Sequence, residues 1–280
     1  MSPTPGRAVV IATHNLMHGM RLAALIPHYV ALRDEKGLDL FCLQENRFLD
    51  GGTDRPSTRI AAALGPDYRI IRDEGCPGLA FVHHAGTLAC EAAAIVPLPL
   101  LSRLNPFERL YIRGGKTQQK HVLIAHLRPR EGGHAFAAAC FHLDTAGGNP
   151  HRATQVEAIG AALRARDAHQ AFVACGDTNA FAWRRQPEVL GRVLAPLSAL
   201  GATDPETRAT HYFARQNEGK FLHETGVFLG KLGIDRPLRY DVVCTNLAVS
   251  ERGHVDTPDS DHDLVWARID LKGDSGPDGH

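Results

Sequence analysis

Residues 172–179 read Phe-Val-Ala-Cys-Gly-Asp-Thr-Asn, an apolar run that ends abruptly in an acid, a hydroxyl and an amide. A short apolar run broken by a glycine reads as a buried strand whose last residues project polar groups at the rim of a sheet. Asp177 and Asn179 there could align and deprotonate a water, although a strand followed by an Asx turn accounts for the same residues. The design recurs. Residues 8–15 are a β-branched run ending in Asn15, residues 39–45 an apolar run ending in Gln44 and Glu45, and residues 135–141 an apolar run reaching His142. Two later runs begin with polar groups instead, at Asp241 and at Asp261-His262. In a mixed sheet the start of one strand lies beside the end of its antiparallel neighbour, so all six positions can meet on one rim. Polar ends that converge in this way mark a site.

The residue types define the chemistry. Carboxylate and amide oxygens, without paired histidines or cysteines, suit Mg2+ or Mn2+, which keep waters and bind substrate phosphate beside one or two acids. His262, with Asp241 available to orient it, suits charge stabilisation or proton transfer, because a nearby carboxylate holds an imidazole protonated near neutrality. Together these groups describe metal-assisted hydrolysis of a phosphate ester.

The elements that must carry them are legible as an α/β chain. Helical spacing runs through residues 20–36 and stops at Gly37; a glycine- and proline-containing loop at 50–57 leads into a short helix to Leu64. Strands are expected at 68–72, 79–83 and 88–97, helices at 151–166 and 186–200, and a last strand at 264–271. With 280 residues, 44% of them hydrophobic, the chain can bury a large core, and one domain over 1–272 is expected, with a disordered polar tail at 273–280. Lysine plus arginine equals aspartate plus glutamate at 31 each. That balance argues against affinity built on coating long nucleic acid with positive charge. The sustained basic stretch, 102–130, carries Arg103, Arg109, Arg113, Lys116, Lys120, Arg128 and Arg130, and reads equally as a solvated hairpin face or a phosphate-attracting wall. The six cysteines lack zinc spacing and read as small buried hydrophobes; with no signal-like N-terminus and no membrane-length apolar run, a cytoplasmic location is expected.

Taken together, Thr13-x-Asn15, Gln44-Glu45, Leu101-Ser102-Arg103, His142-Leu143 with Arg152 and Gln155, Gly176-Asp177-Thr178-Asn179, Arg239-Tyr240-Asp241 and Ser260-Asp261-His262 resemble the endonuclease/exonuclease/phosphatase superfamily, with its deoxyribonuclease I-like fold. The resemblance spans nearly the whole chain and implies a four-layer α-β-β-α sandwich of two packed mixed sheets. It implies Glu45 as principal metal ligand with Asn15 and Asp261 near the metal, Asp177 and Asn179 positioning the attacking water, His142 on the phosphoryl oxygens, and His262 with Asp241 as the dyad that stabilises the transition state. Gln44, Arg152 and Gln155 are expected to support these groups. One position departs: where several members carry an acid two residues after the first asparagine, this chain has Met17, a poor magnesium ligand. His14 and His18 are expected to be packing or surface residues, and the sixteen histidines do not show the helical pairing of zinc hydrolases.

The expected function is therefore hydrolysis of a phosphoester, most simply a diester of a small molecule, nucleotide or lipid headgroup, with no obligate protein partner. A nuclease is the second reading, and a catalytically silent phosphate- or protein-binding member the third. Arg103, Trp183 and Arg184 are the expected substrate contacts. The segment 210–236, long and apolar for a connection, is expected to be a lid or specificity loop unless its apolar residues pack against the sheet.

Overall fold

The computed structural model describes residues 8–48, 54–104, 106, 108, 118–165, 171–182, 184–206, 208–212, 215 and 237–271. Trp183, the tail 273–280 and most of 210–236 lie outside these. In chain order the elements are β1 (Ala8–Asn15), a single 3-10 turn (Met17–Gly19), α1 (Leu22–Lys36), β2 (Leu38–Gln44), α2 (Pro56–Leu64), β3 (Tyr68–Ile71), β4 (Leu79–His84), β5 (Leu88–Pro97), β6 (His121–Pro129), β7 (Phe136–His142), α3 (Gly148–Arg164), β8 (Phe172–Asp177), α4 (Gln186–Ser198), β9 (Asp241–Thr245), β10 (Ala248–Val255) and β11 (Leu264–Asp270). Gly37 ends α1 as its position suggests: at φ 75° it takes the left-handed cap, and its N–H bonds to the Arg33 carbonyl.

Two mixed sheets result, one ordered β10-β11-β1-β2-β4-β3 and the other β5-β6-β7-β8-β9. Each holds one parallel pair, β1 with β2 and β7 with β8, and each pair is joined by a helical crossover, α1 or α3. The inner faces bury Val9, Ile11, Leu40 and Cys42 against Leu123, Ala138, Cys140 and Val173. On the outer faces, Val10, Ala12 and Phe41 pack under α1 and α2, while Val122, Ala137 and Ala139 pack under α3 and α4. Because both faces of the central strands are covered, these strands read as continuous apolar runs rather than alternating ones. The layers are thus helix, sheet, sheet, helix. A fully buried Phe41 contributes roughly 2–3 kcal/mol to this packing.

Two strands escape the sequence reading. β6 lies inside the basic stretch, yet Val122, Leu123, Ile124, Ala125 and Leu127 are buried in it. β10 is a polar edge strand with no apolar run; an edge needs charge more than hydrophobicity.

Gly176 carries a packing constraint. A Cβ built there would sit 2.0 Å from the backbone oxygen of Phe141 on the neighbouring strand. Backbone cannot retreat from that position without parting β7 from β8. We expect Gly176→Ala to destabilise the fold by about 3 kcal/mol or more, read as a lowered urea midpoint.

Candidate active site

The two parallel pairs deliver their carboxyl ends to the same side of the molecule, the side where open α/β sheets place ligands. In the first sheet Asn15 stands beside Gln44, and Leu264 begins β11 next to the end of β1. In the second, His142 pairs with Asp177 and Asp177 with Asp241. At this rim Asn15 Nδ2, from the first sheet, donates to Asp177 Oδ2, from the second, at 2.9 Å. All six predicted strand ends are therefore brought to one place.

Asp177 is its centre. It is 1% exposed; its Oδ1 accepts from the Asn179 backbone N–H at 2.8 Å, and its Oδ2 lies 3.6 Å from His142 Nε2 and 3.7 Å from His262 Nε2. The His262 Nδ1 pairs with Asp241 Oδ2 at 2.7 Å. Burial disfavours the Asp177 carboxylate, but the charge of His262 and the donors Asn15 and Asn179 outweigh it and hold Asp177 below the ordinary carboxylate range. Burial likewise disfavours the His262 imidazolium, and Asp241 and Asp177 together reverse this and raise its pKa. His142 differs. Burial, reinforced by Lys120 and His262, lowers it to about 3, so it stays neutral. One charged and one neutral imidazole thus face a single ionised carboxylate.

The backbone around these groups is held in place. His262 O accepts from the Thr257 hydroxyl at 2.6 Å and lies 3.0 Å from His14 Nε2. His14 itself packs under α1, with Nδ1 2.7 Å from the Tyr29 hydroxyl, so it is the packing residue expected. Gln44 bonds Thr13 and, across the sheets, the Cys140 sulfur, which makes it a strut rather than a reacting group. Glu45 (φ 53°) and Asn179 (φ 48°) take the left-handed conformation that non-glycine residues rarely adopt, a local cost often met at functional positions. Asn179 Nδ2 donates to Leu143 O, so its amide ties the β8 loop to the His142 loop.

His18 corrects the sequence reading. Strand alternation ends at Asn15, and the chain turns back through Met17 (φ 47°) and His18 (φ 56°), placing His18 Nε2 3.3 Å from Glu45 Oε2. Met17 is buried, and its N–H donates to Asn15 Oδ1. His211 is a further site residue outside the sequence-predicted set. It lies buried with its ring centroid 4.7 Å from that of His262 and 4.6 Å from that of Tyr240.

Three predicted side chains carry donors suited to a hard cation. Glu45 presents a half-buried carboxylate, Asn15 a carbonyl oxygen and Asp261 a carboxylate whose Oδ1 is buried with no hydrogen-bond partner among the described residues. Carboxylate and carbonyl oxygens, one of them a buried carboxylate oxygen without a partner, are the donor types that suit Mg2+ or Mn2+.

No family model and no curated protein matches the sequence. The architecture does match solved structures. An endonuclease/exonuclease/phosphatase from Bacteroides vulgatus is similar at TM-score 0.66 and 16% identity, over 95% of this chain and 100% of that one. TDP2 of D. rerio, solved with a single-strand DNA product, is similar at 0.63 and 12%, over 94% and 99%. The mannosyl-6-phosphatase Bt3783 of Bacteroides thetaiotaomicron is similar at 0.60 and 15%, over 93% and 99%. The chain has the endonuclease/exonuclease/phosphatase fold.

Within this deoxyribonuclease I-like fold the predicted supporting residues pin the loop after His142. Arg152, 4% exposed, donates to Asp144 O, Thr145 O and Asn149 Oδ1; Gln155 bonds both the N–H and the carboxylate of Asp144. Asp144 also holds His151 Nε2 at 2.9 Å. Arg152→Ala leaves three acceptors without this donor and is expected to cost about 3 kcal/mol in chemical unfolding, with a smaller effect on catalysis. Arg103 is exposed on the loop that leaves β5 at its rim end, and Arg184 is exposed between Asn179 and α4. The basic stretch is divided. Lys120 stands at the rim end of β6, whereas Arg128, paired with Glu91, and Arg130 lie at the opposite end; residues 109–117 are outside the described set. Arg239, from the Arg239-Tyr240-Asp241 motif, pairs with Asp204. No described helix is long and apolar enough to cross a membrane.

Proposed function

We propose that the protein is a metal-dependent phosphoester hydrolase, and within that class a phosphodiesterase acting on a small-molecule, nucleotide or lipid-headgroup ester. The observation that carries the reading is the continuous chain Asn15–Asp177–His262–Asp241, joined across two sheets with His142 on its flank. The fold's solved representatives include a phosphatase and a protein solved with a DNA product, which is consistent with phosphoester chemistry here.

In this reading Asp177, held ionised, accepts a hydrogen bond from the attacking water and takes its proton as the new bond to phosphorus forms. Asn15 and Asn179 fix the two carboxylate oxygens so that the basic lone pair has one direction. His262, kept as an imidazolium by Asp241, donates to the phosphoryl oxygens as their charge grows. His142, neutral, offers its ring N–H to the same oxygens without repelling His262. Glu45, Asn15 and Asp261 would hold Mg2+ or Mn2+. The bound ion would supply Lewis-acid stabilisation of the phosphoryl charge.

We rank a nuclease second, because Arg128 and Arg130 lie at the far end of β6 from Asp177, which leaves Lys120 and Arg103 as the described cations of the basic stretch at the rim. The test is hydrolysis of bis(nitrophenyl) phosphate and the matching monoester with Mg2+, with Mn2+ and with chelator. Turnover should appear with either ion, vanish with chelator and favour the diester. Equal rates with chelator would remove the metal from the account, and a preference for the monoester would move the reading to a phosphatase.

A further inference from the structure

We propose that His211, Asp261 and His262 form a second metal site, one for a borderline transition ion of the zinc class rather than for magnesium. One ligand atom from each lies within 4.8 Å of the other two. The three residues are 3%, 6% and 4% exposed, in the order named, so the cluster is interior rather than a chance grouping of surface side chains. His211 Nε2 is 4.0 Å from Asp261 Oδ2, and Asp261 Oδ1 is buried with no hydrogen-bond partner among the described residues.

The backbone makes the grouping rigid. His211 forms isolated antiparallel bridges to both Leu238 and His262, the Tyr212 N–H bonds Asp261 O at 2.8 Å, and the Asp263 N–H bonds Thr210 O at 2.7 Å. Residues about fifty apart in sequence are thereby locked side by side.

Two imidazoles and one carboxylate form a donor set suited to zinc, while magnesium prefers oxygen donors throughout. Tetrahedral ligands at the usual zinc–nitrogen distance of about 2.0 Å stand roughly 3.4 Å apart, so closure on an ion requires side-chain shifts of about an ångström. His262 Nδ1 is taken by Asp241, which leaves Nε2 as its ligand atom. Binding there displaces the proton from Nε2 to solvent.

The site itself does not depend on the proposed activity, but its consequence does: zinc removes His262 from the phosphoryl oxygens and so opposes magnesium-supported turnover. The ion shares Asp261 with the proposed magnesium set, which makes the two metals competitors.

Binding of zinc chloride alone, followed by calorimetry on the full chain without substrate, separates this proposal from the catalytic one. The wild type should bind one zinc at this site. His211→Asn should weaken that binding by more than the roughly 10- to 100-fold typical of losing an outer-shell partner, whereas Glu45→Gln should leave it unchanged. X-ray absorption of the wild-type zinc complex should count two imidazole ligands, and this needs no variant to fold. No zinc binding, binding unchanged in a folded His211→Asn, or fewer than two imidazoles on the metal would each overturn the proposal. If zinc binds as described and no phosphoester is hydrolysed, the metal site stands and the catalytic reading fails.

Discussion

Asp177→Asn should lower kcat by about 1,000- to 10,000-fold while leaving the protein folded. The substitution keeps the shape of a side chain that is 1% exposed, so packing does not change. What changes is charge and hydrogen-bond sense. The amide has one acceptor oxygen where the carboxylate had two, yet both the Asn15 amide and the Asn179 N–H require an acceptor at this residue. One orientation sets two NH2 groups against each other, and either orientation removes the anion that faces His262 and His142. A water at this point loses its base and its alignment together. Steady-state kinetics beside a thermal melt checks this: an unchanged rate in a folded variant would end the role assigned to Asp177.

His262→Ala is the second large effect. Here kcat should fall about 100- to 1,000-fold with KM little altered, because a donor aimed at developing charge stabilises the transition state more than the bound substrate. Asp241, fully buried and 2.7 Å from His262 Nδ1, acts through the imidazole; Asp241→Asn should therefore also lower kcat, by a smaller factor than loss of the ring itself. A raised KM with normal kcat in His262→Ala would assign the ring to ground-state binding instead.

Much of this was legible in the sequence, for a definite reason. Strands buried on both faces are apolar until the rim, so the residues where the apolar run stops, Asn15, Glu45, His142 and Asp177, announce themselves. Asp241 and Asp261-His262 do the same at strand starts. The layered fold was legible only through the resemblance those motifs carry; its physical basis is the crossover helix that follows each of the two parallel-pair strands β1 and β7. Residues placed by irregular backbone stayed hidden. His18 reaches Glu45 only because Met17 and His18 turn back with positive φ, which period-two reasoning cannot anticipate. His211 lies in the loop-rich 210–236 span and meets His262 through isolated bridges, a pairing that no strand periodicity announces. β10 was missed because none of its residues is fully buried, so no apolar run marks it.

The central claim is that Asp177 drives water onto phosphorus. Its most direct test is diester hydrolysis in water enriched in heavy oxygen, with the products read by phosphorus NMR, for the wild type and Asp177→Asn in the presence of Mg2+. The account predicts heavy oxygen on the phosphoryl product of the wild type and no labelled product above background from the variant. Heavy oxygen in the alcohol product instead, or equal labelling by both proteins, would contradict it.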